Sequence, residues 1–442
     1  MAELGLQKLS PYWEEGRQHV LGLFERATNQ NVPRSFPGTM PVTLSRRHIG
    51  MIKQNDYVLL EKSDGVRYLL FTTSKGAYLV DRRFEFYPIP NSQVNKPPEF
   101  MEPQTNTLLD GELVYNFVTE TYEYLIYDAI SIQDDISVAG MEYRQRMTLA
   151  ENWVAAPRVY SVTATGALRI RIKDYYEVAE IKQLFDHIKK DEHGKYVYIN
   201  YDRRDGVVCN ENDGCIFTPA KLSYPIKTCN ALLKWKPPHL NSVDFLLRLE
   251  KIMDLKGGRL VPIGIKSSIF YRDGRSNAVL REVRFPRDQR RLFQNNFDKF
   301  NNSIVELTYD RLAGEWRYIR QRDDKIQPNY AGTVIDTLES ISENMDREEL
   351  VKSIMEGGIR VNHQIAKKRK IERENVVFRN DLFDLTNLDY VQAIPMSLVA
   401  PPMLPPEPHR PPRRVEYAAP ATEEPKTEQE APAASNPYAV EV

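Results

Sequence analysis

The sequence predicts an α+β protein in which a first domain of antiparallel strands is followed by a small, separate β-barrel. Short apolar runs bounded by Gly- and Asp-containing turns recur between about residues 57 and 237, which is typical of antiparallel strands. Residues 246–330 also consist of short strand-like runs, but they are basic, with 18 Lys and Arg against 11 Asp and Glu. The length of 442 residues and the 41% hydrophobic content suit two or three domains with buried cores.

The composition limits the class of protein and its compartment. The formal net charge is −1 and the pI is about 6.7, so any surface that attracts nucleic acid must be local. Cys209, Cys215 and Cys229 have neither an even count nor metal-ligand spacing, so we expect free thiols in a reducing compartment. No leader pattern and no apolar run of roughly 18 residues is evident, so we expect a soluble, intracellular protein without membrane contact.

The N-terminal region leads into a lysine-containing turn. We expect a helix from Tyr12 to Ala27, a short helix near Ser45 to His48, and buried strands at Tyr57–Leu60 and Tyr68–Phe71. The two strands flank the turn Glu61–Arg67, which places Lys62 at the mouth of a pocket.

Lys62 is a candidate nucleophile. A lysine attacks phosphorus only as the neutral amine, so its pKa must be lowered by burial or by nearby cations, of which Arg67 is one. Taken alone, the tetrapeptide Lys-x-Asp-Gly also fits a solvated turn lysine.

Three further strands bring acids and an aromatic residue toward the same pocket. Gly76 to Phe86 alternates and carries Arg82, Thr107–Val114 carries two acids, and Tyr124–Ile130 directs Tyr127 toward the site. An aromatic ring there can stack on a nucleotide base. By themselves, Asp110-Gly111 also fits a hairpin turn and Tyr127 also fits ordinary sheet core.

The next segments mix helices with basic strands. We expect helices near Glu142–Val154 and Tyr176–Lys190, and between them the strand Leu168–Lys173, whose three basic residues are either solvated or line the pocket rim. We expect Asp213-Gly214 to form a turn that enters an apolar strand. Lys234 and Lys236 share one strand face, where they either hold a triphosphate or lie on the surface.

The C-terminal half predicts three parts. Residues 246–330 fit a basic barrel of the oligonucleotide-binding type that closes with an arginine-rich run, Trp316–Lys325. Residues 331–394 predict a helical extension, in which Lys367–Lys370 is either a solvated helix face or a nuclear import signal. Residues 395–442 are rich in Pro, Ala and Glu and predict a disordered tail, which leaves residues 1–245 as the first domain.

Six short motifs in this sequence resemble, in order and spacing, those of the covalent nucleotidyltransferases. They are Lys62–Arg67, Asp110–Glu112, Tyr124–Asp128, Asp213–Pro219, Leu233–Pro237 and Arg320–Lys325. The strand Tyr124–Ile130 and the ending Trp316–Lys325 look like those of eukaryotic mRNA capping guanylyltransferases, and the resemblance spans about residues 35–330. It implies a nucleotidyltransferase domain of antiparallel sheets, of the ATP-grasp-like architecture of ligases and capping enzymes, followed by an OB-fold barrel.

The resemblance also implies a reaction. Lys62 would attack the α-phosphate of GTP, and the resulting lysyl-GMP would pass its GMP to the 5′-diphosphate end of RNA. One alternative is an ATP-dependent RNA or DNA ligase that works through lysyl-AMP. The other is a non-catalytic scaffold that keeps a decayed nucleotide fold.

The resemblance implies a role for each matching residue. Arg67 and Arg82 would contact the ribose and phosphates, Glu112 the ribose or a divalent metal (Mg²⁺ or Mn²⁺), and Asp213 that metal. The other implied contacts are Tyr127 on the guanine ring, Lys173 on its O6 atom, Lys234 and Lys236 along the α-phosphate, Asp244 as an orienting group, and Arg322, Asp324 and Lys325 over the β- and γ-phosphates.

The partners implied by the resemblance are GTP and 5′-diphosphate RNA, the phosphorylated C-terminal domain of RNA polymerase II, and a separate RNA triphosphatase subunit. No Cys-x5-Arg phosphatase motif precedes the lysine motif, so we expect a guanylyltransferase of the fungal type, acting in the nucleus.

Overall fold

The computed structural model describes residues 13–74, 76–89, 105–155 and 168–356, in which strands dominate. The helices are α1 (Glu14–Thr28), α2 (Ile49–Gln54), α3 (Tyr143–Ala150), α4 (Ile181–Asp186), α5 (Arg287–Asn295), α6 (Phe297–Phe300), α7 (Ala331–Glu343) and α8 (Arg347–Met355). The strands of the first half are β1 (Met40–Thr43), β2 (Tyr57–Ser63), β3 (Val66–Thr73), β4 (Gly76–Val80), β5 (Phe86–Pro88), β6 (Thr107–Asn116), β7 (Thr121–Ser131), β8 (Arg169–Ile172) and β9 (Tyr175–Glu177). Those of the second half are β10 (Ile188–Lys190), β11 (Tyr196–Asn200), β12 (Val208–Pro219), β13 (Thr228–Trp235), β14 (Ser242–Lys256), β15 (Arg259–Asp273), β16 (Ser276–Val283), β17 (Ser303–Asp310) and β18 (Glu315–Gln321).

A six-stranded sheet has the order β5-β4-β3-β6-β7-β8 and is antiparallel except for the β7–β8 pair. Helix α1 covers one face of this sheet, because its apolar stripe packs Val20 and Phe24 into a cluster with Leu69 and Phe71. The sheet carries Arg67 on β3, and the strands β6 and β7 that follow it provide Glu112 and Tyr127.

A seven-stranded sheet has the order β1-β13-β12-β11-β10, with β2 joined to β12 and β9 joined to β2. Strand β2 is apolar on both faces because it is buried on both: Leu60 packs in a core with Leu70, whereas Leu59 packs in another core with Phe217. Lys62 therefore projects from the end of a rigid, doubly packed strand.

The basic C-terminal region forms a third, five-stranded antiparallel sheet with the order β16-β15-β14-β17-β18. No pairing joins its edge strands β16 and β18 in the described part of the chain, so the prediction of a closed barrel is wrong in this respect. Helix α5 lies at the β18 edge instead. The side-chain amide of Gln289 donates to the Tyr318 carbonyl (3.1 Å) and accepts from its N–H (2.8 Å), which satisfies edge groups that would otherwise lack a partner.

The last two helices connect the third sheet back to the first part of the molecule. Helix α7 places Val334 in the core of the third sheet, and Asp336 accepts a hydrogen bond of 2.8 Å from Arg47. Ile354 of α8 lies in the same core as Leu59. The division into domains at 245/246 and at 330/331 stays a prediction.

The helix and strand predictions hold where the pattern is long and fail in one segment. The helix at 12–27 is confirmed as α1, although Tyr12 lies outside the described residues, and the helix near Glu142–Val154 is α3 followed by a π-helical turn, Glu151–Ala155. The helix at Tyr176–Lys190 is wrong. Only α4 is α-helical there, because β9 pairs with β2 and β10 pairs with β11.

Some expectations concern residues that the structure does not describe. These are the helix stop at Gly357-Gly358, the basic run Lys367–Lys370 and the tail 395–442. In the part that is described, no helix has the length and apolarity required to cross a membrane. Cys209, Cys215 and Cys229 are free thiols, as expected.

Candidate active site

Lys62 and Lys236 share one carboxylate. The Lys62 Nζ atom lies 2.5 Å from Oδ1 of Asp213, and the Lys236 Nζ atom lies 2.5 Å from Oδ2. The Lys62 side chain is 19% exposed, so the amine lies at the mouth of a cleft rather than in open solvent. The structure thus brings together the first, fourth and fifth of the six motifs, and the alternative of a solvated turn lysine is wrong.

Gly214 allows this arrangement. Strand β12 shifts its register against β2 between Asn212 and Cys215, and within this bulge Gly214 has a φ of 141°. A Cβ atom on Gly214 would lie 1.9 Å from the carbonyl oxygen of Trp235. Only glycine therefore permits β12 to approach β13 closely enough for Asp213 to reach both lysines.

The pKa of Lys62 is raised, not lowered as the sequence led us to expect. Burial alone lowers the pKa, but the carboxylates of Asp213 and Glu112 together outweigh it. The two lysines in turn hold the pKa of Asp213 below its ordinary value, against the effect of its burial. Arg67 does not act as the nearby cation, because its guanidinium group is bound to another acid.

Lys234 shows the lowered pKa that was expected for Lys62. Burial is the main cause, the charges of Lys236 and Lys62 add to it, and together they lower the pKa of Lys234 to about 8. The charge of Lys325 contributes as well, so this residue of the third region lies near the lysine cluster. The cleft is consequently lined by cations, which favour the binding of a polyanion.

Asp110 connects three groups of the site. Its fully buried carboxylate accepts from Arg67 Nε (2.9 Å), from the Tyr127 hydroxyl (2.7 Å) and from the Tyr224 hydroxyl (2.5 Å). The Arg67 guanidinium also lies 5.1 Å from the centre of the Phe36 ring. Because Asp110 binds both Arg67 and Tyr127, it fixes the positions of two predicted nucleotide contacts.

Sequence reasoning missed the roles of Asp110 and Tyr224. Asp110 is the first residue of the second motif, Asp110–Glu112, and its place in that motif could have indicated a role in the site. Tyr224 lies on the connection between β12 and β13, and no sequence signal indicates that it reaches β6. The hairpin alternative for Asp110-Gly111 is wrong, because β6 runs unbroken through both residues.

Glu112 and Lys173 lie on the side of the cleft toward β8. The Lys173 ammonium group is buried and lies 2.8 Å from Ser63 Oγ, 3.1 Å from Glu61 Oε1 and 3.4 Å from Glu112 Oε2. It also lies 5.9 Å from the centre of the Tyr127 ring. Lys173 is thus part of the pocket, whereas Arg171, two residues earlier on β8, forms buried ion pairs with Glu123 and Asp205.

The third region contributes a compact charged cluster. Asp244 is buried and binds Arg322 (Nη1 to Oδ1, 2.9 Å) and Lys325. Arg322 also pairs with Asp324 through two parallel hydrogen bonds of 2.9 Å, which lower the pKa of Asp324. Arg83 also joins this cluster: it donates to the Asp324 carbonyl oxygen (3.0 Å) and so links the cluster to the first sheet.

Arg82 is exposed beside this link. Its pKa is lowered from the ordinary arginine value, first by desolvation and then by the charge of Arg67. The effect of Arg67 indicates that the two guanidinium groups lie near each other. The structure thus gathers all the sequence-predicted site residues around the lysine cluster, the Asp110 group and the Asp244 group.

The donors present suit a metal that is shared with a substrate. No group of three or more His, Cys, Asp or Glu residues that could hold a metal occurs within the described ranges. Asp213 and Glu112 offer carboxylate oxygens only, and hard cations such as Mg²⁺ bind through one or two carboxylates plus phosphate oxygens and water. Both oxygens of Asp213 are paired with lysines here, so a metal at Asp213 and Glu112 would have to arrive with phosphates and displace a lysine contact, and these residues do not form a complete protein cage.

Two family models match most of the described chain. The mRNA capping enzyme catalytic domain matches residues 14–238, and the mRNA capping enzyme C-terminal domain matches residues 240–351.

Similar curated proteins carry names from the same family. The mRNA-capping enzyme subunit alpha of Schizosaccharomyces pombe is 28% identical over 340 residues, which cover 73% of this chain and 80% of the relative. The Neurospora crassa subunit alpha is 24% identical, with 72% and 84% covered. The Danio rerio mRNA-capping enzyme is 28% identical over 72% of this chain, but this chain spans only 49% of that relative's length.

Solved structures with some likeness include two ligases. The Chlorella virus DNA ligase-adenylate is 18% identical, with a TM-score of 0.28 over 64% of this chain and 98% of that chain. The ATP-dependent DNA ligase of bacteriophage T7 in complex with ATP is 13% identical, with a TM-score of 0.31 over 66% and 97%. At these values the likeness supports no conclusion about function, and the ligase alternative is not favoured.

Proposed function

This chain belongs to the mRNA capping enzyme family, and on that premise we propose that Lys62 is the residue that carries GMP. The protein is an mRNA guanylyltransferase, which moves GMP from GTP to the end of RNA. The observation that carries the assignment to Lys62 is its position: the Nζ atom lies beside Asp213 and Lys236 in a cleft that other cations line.

The reaction has two displacements at the same phosphorus atom. First, Lys62 Nζ in its neutral form attacks the α-phosphate of GTP, the N–P bond forms, and the bond to the β-phosphate oxygen breaks to release pyrophosphate. Second, a terminal phosphate oxygen of 5′-diphosphate RNA attacks the same phosphorus, and the N–P bond breaks. The RNA then ends in GpppN and the lysine is restored.

The proton on Lys62 sets the order of events. Asp213 favours the ammonium form, so the amine becomes a nucleophile only when the lysine–carboxylate contact is weakened. Lys236 and Lys234 remain beside the α-phosphate and stabilise the negative charge that develops there. Asp213 and Glu112 would hold a divalent cation, Mg²⁺ or Mn²⁺, which supplies Lewis-acid neutralisation of the phosphate charge when bound.

The remaining site residues receive roles from their positions. Tyr127 stacks on guanine with Lys173 at its edge, and Arg67 and Arg82 contact the ribose and phosphates. Asp244 presents Arg322 and Lys325 toward the β- and γ-phosphates, with Asp324 as their partner. Approach of the third sheet toward the lysine cluster would complete the cation-lined site.

The cellular context follows from the family. We assign the protein to the nucleus, with the phosphorylated C-terminal domain of RNA polymerase II and a separate RNA triphosphatase subunit as partners. These assignments rest on the premise of family membership alone.

Labelling with radioactive nucleotide tests the proposal. The purified protein incubated with α-labelled GTP and Mg²⁺ should form a covalent adduct that survives alkali but releases GMP in acid, as a phosphoramidate bond does, and α-labelled ATP should give none. Lys62→Ala should abolish the adduct. Lys182→Ala removes an exposed lysine outside the site and serves as the matched control. Labelling by ATP alone, or a Lys62→Ala protein that labels like wild type, would overturn the assignment.

A further inference from the structure

Helix α5 presents an arginine face that the proposed reaction does not use. Arg287, Arg290 and Arg291 are spaced i, i+3 and i+4 on this helix, so they project from one side, and Arg284 lies three residues before the helix begins. All four are exposed. The opposite side of the helix buries Phe293 in the core of the third sheet.

These arginines are not neutralised by the protein. Among the residues the structure describes, none of the four guanidinium groups forms an ion pair, whereas Arg317 and Arg320 on the neighbouring β18 are paired with Asp310 and Glu306. The nearby acid Glu282 is itself paired with Lys266 at 3.2 Å. The face therefore keeps its positive charge available to an external anion.

The position of the helix relates this face to the site. The two hydrogen bonds of Gln289 anchor α5 to Tyr318 on β18, and four residues further along the chain lies Arg322. At about 3.3 Å per strand residue, the anchor lies roughly 13 Å from Arg322 along the chain. A stacked nucleic-acid strand advances about 3.4 Å per nucleotide, so about four nucleotides span that distance.

We infer that an arginine face, formed by Arg287, Arg290 and Arg291 of α5 and by Arg284 just before this helix, binds the phosphate backbone of the acceptor RNA, downstream of the 5′ end that receives GMP. This inference rests on the proposed guanylyltransferase function. Guanidinium groups match phosphate oxygens through two parallel hydrogen bonds, and a helix holds them in fixed register.

The chemistry of the face selects RNA backbone over a phosphorylated peptide. An enzyme that modifies RNA of any sequence gains affinity from phosphate contacts, which carry no sequence information. The face has arginines but no exposed aromatic ring, since Phe293 is buried, so it lacks a platform for reading bases or for holding peptide side chains.

Transfer from the isolated enzyme–GMP adduct to two acceptors tests the inference. In the full chain carrying Arg287→Ala, Arg290→Ala and Arg291→Ala, kcat/KM for a 5′-diphosphate RNA of about 20 nucleotides should fall at least tenfold at low salt. The slope of log kcat/KM against log salt should become shallower by about 2, since each lost single-strand phosphate contact removes roughly 0.7. Transfer to a 5′-diphosphate dinucleotide and formation of the adduct from GTP should stay as in wild type.

Two control proteins separate specific binding from general charge. The triple variant Lys182→Ala, Lys189→Ala, Lys221→Ala removes the same charge from exposed lysines of the first region and should leave both acceptors unaffected. Arg→Lys replacement at the three α5 positions should retain most of the long-acceptor activity. Should the triple alanine variant fold poorly, as judged by circular dichroism, the single variant Arg290→Glu replaces it, and its activity should again fall on the long acceptor and stay unchanged on the dinucleotide.

Three outcomes overturn the inference: undiminished activity on the long acceptor, an equal loss on the dinucleotide, or loss of phosphoserine-peptide binding with RNA transfer intact. Failure of the wild-type protein to form an adduct with GTP is a different result. It would reject the proposed function itself, before the arginine face comes into question.

Discussion

The hydroxyl group of Tyr224, on the connection between β12 and β13, donates a hydrogen bond of 2.5 Å to the carboxylate of Asp110 on β6, 114 positions earlier in the chain. The same hydroxyl accepts from the backbone N–H of Thr39 (3.2 Å). This contact connects the two sheets of the first region behind the nucleotide contacts Arg67 and Tyr127. It therefore supports the orientation of the site without touching the reacting atoms.

Tyr224→Phe should weaken GTP binding more than the chemical step. The variant removes one donor from a buried carboxylate, a hydrogen bond worth about 1.5–3 kcal/mol, and leaves Arg67 and Tyr127 less firmly oriented. We expect the KM for GTP in adduct formation to rise roughly tenfold, which corresponds to about 1.4 kcal/mol, with kcat changed less. Tyr143→Phe is the matched control, because its buried hydroxyl has no hydrogen-bond partner among the described residues. Equal KM values for the two variants would contradict the role of Tyr224.

The charge of Lys234 should make GTP binding depend on pH above 8. In the free protein its pKa is about 8, so the amine is neutral above that pH, whereas the phosphates of GTP favour the charged form and raise the pKa on binding. Binding then takes up a proton, and the KM for GTP should rise by up to about tenfold per pH unit between the free and bound pKa values. Lys234→Arg keeps the charge and should give a flatter profile. If the KM for GTP depends on pH in the same way in wild type and in Lys234→Arg between pH 7 and 9.5, Lys234 is not the group responsible.

The lowered pKa of Lys234 also affects the stability of the fold, which should rise as the pH rises above 8, whereas GTP binding weakens. The folded-state pKa of Lys234 lies below that of an unfolded lysine, so below pH 8 the fold bears the cost of a buried charge. As the pH rises from 8 toward the ordinary lysine value, this cost is relieved. The Lys234→Met protein should therefore gain stability over wild type at pH 7 and lose that gain at higher pH, as measured by urea unfolding.

Gly214→Ala should separate the strands that hold Asp213. The new Cβ atom would meet the Trp235 carbonyl oxygen at 1.9 Å in a backbone region that strains other residues by about 1–3 kcal/mol. A displacement of about 1 Å in Asp213 can reduce adduct formation on the order of 100-fold. Gly140→Ala provides the control, since no heavy atom lies within 4 Å of its added Cβ. If Gly214→Ala labels with GTP as rapidly as Gly140→Ala, the bulge does not position Asp213.

Arg146→Met should destabilise the first region more than the loss of a surface ion pair would. The side chains of Arg146 and Asp128 are both buried and joined by two hydrogen bonds, of 2.6 and 3.0 Å. Removal of one partner leaves an uncompensated buried carboxylate, at a cost of about 3–5 kcal/mol in the free energy of unfolding. Adding Asp128→Asn should restore part of the loss.

Arg144→Met serves as the comparison for Arg146. Arg144 pairs with Asp56 and Glu177, but its side chain is 31% exposed, so its loss should cost no more than about 1 kcal/mol. Urea unfolding of the two variants checks the difference. Similar midpoints for both would show that the Arg146–Asp128 pair has no special weight.

Local patterns predicted the strands and the order of the motifs, because both depend on neighbours in the chain. The strand run Tyr57–Leu60 and the paired spacing of Lys234 and Lys236 predicted lysines on neighbouring strands, and Lys62 and Lys236 indeed contact the same carboxylate, although their roles stay a prediction. The helix at Tyr176–Lys190 failed because its two ends pair with β2 and β11, which no local pattern contains. The barrel failed to close because α5 occupies the β18 edge through Gln289.

Electrostatic detail was the least predictable part of the site. Arg67 follows Lys62 by five residues, yet it is committed to Asp110, and the acid that governs Lys62 is Asp213, 151 residues away. Both facts depend on which strands become neighbours. Tyr224 lies in no motif, so its contact with Asp110 emerges only from the folded chain.

Helices α7 and α8 give the third sheet two attachments instead of one. The chain leaves the first region through residues 236–241 and comes back through α7, with Ile354 of α8 seated in the core beside Leu59. The third sheet is therefore held to the first region at both of its ends in the chain, at residues 236–241 and through α7 and α8. Truncation of the chain before α7 would remove one of these attachments together with the Ile354 side chain that helps to bury β2, the strand that carries Lys62.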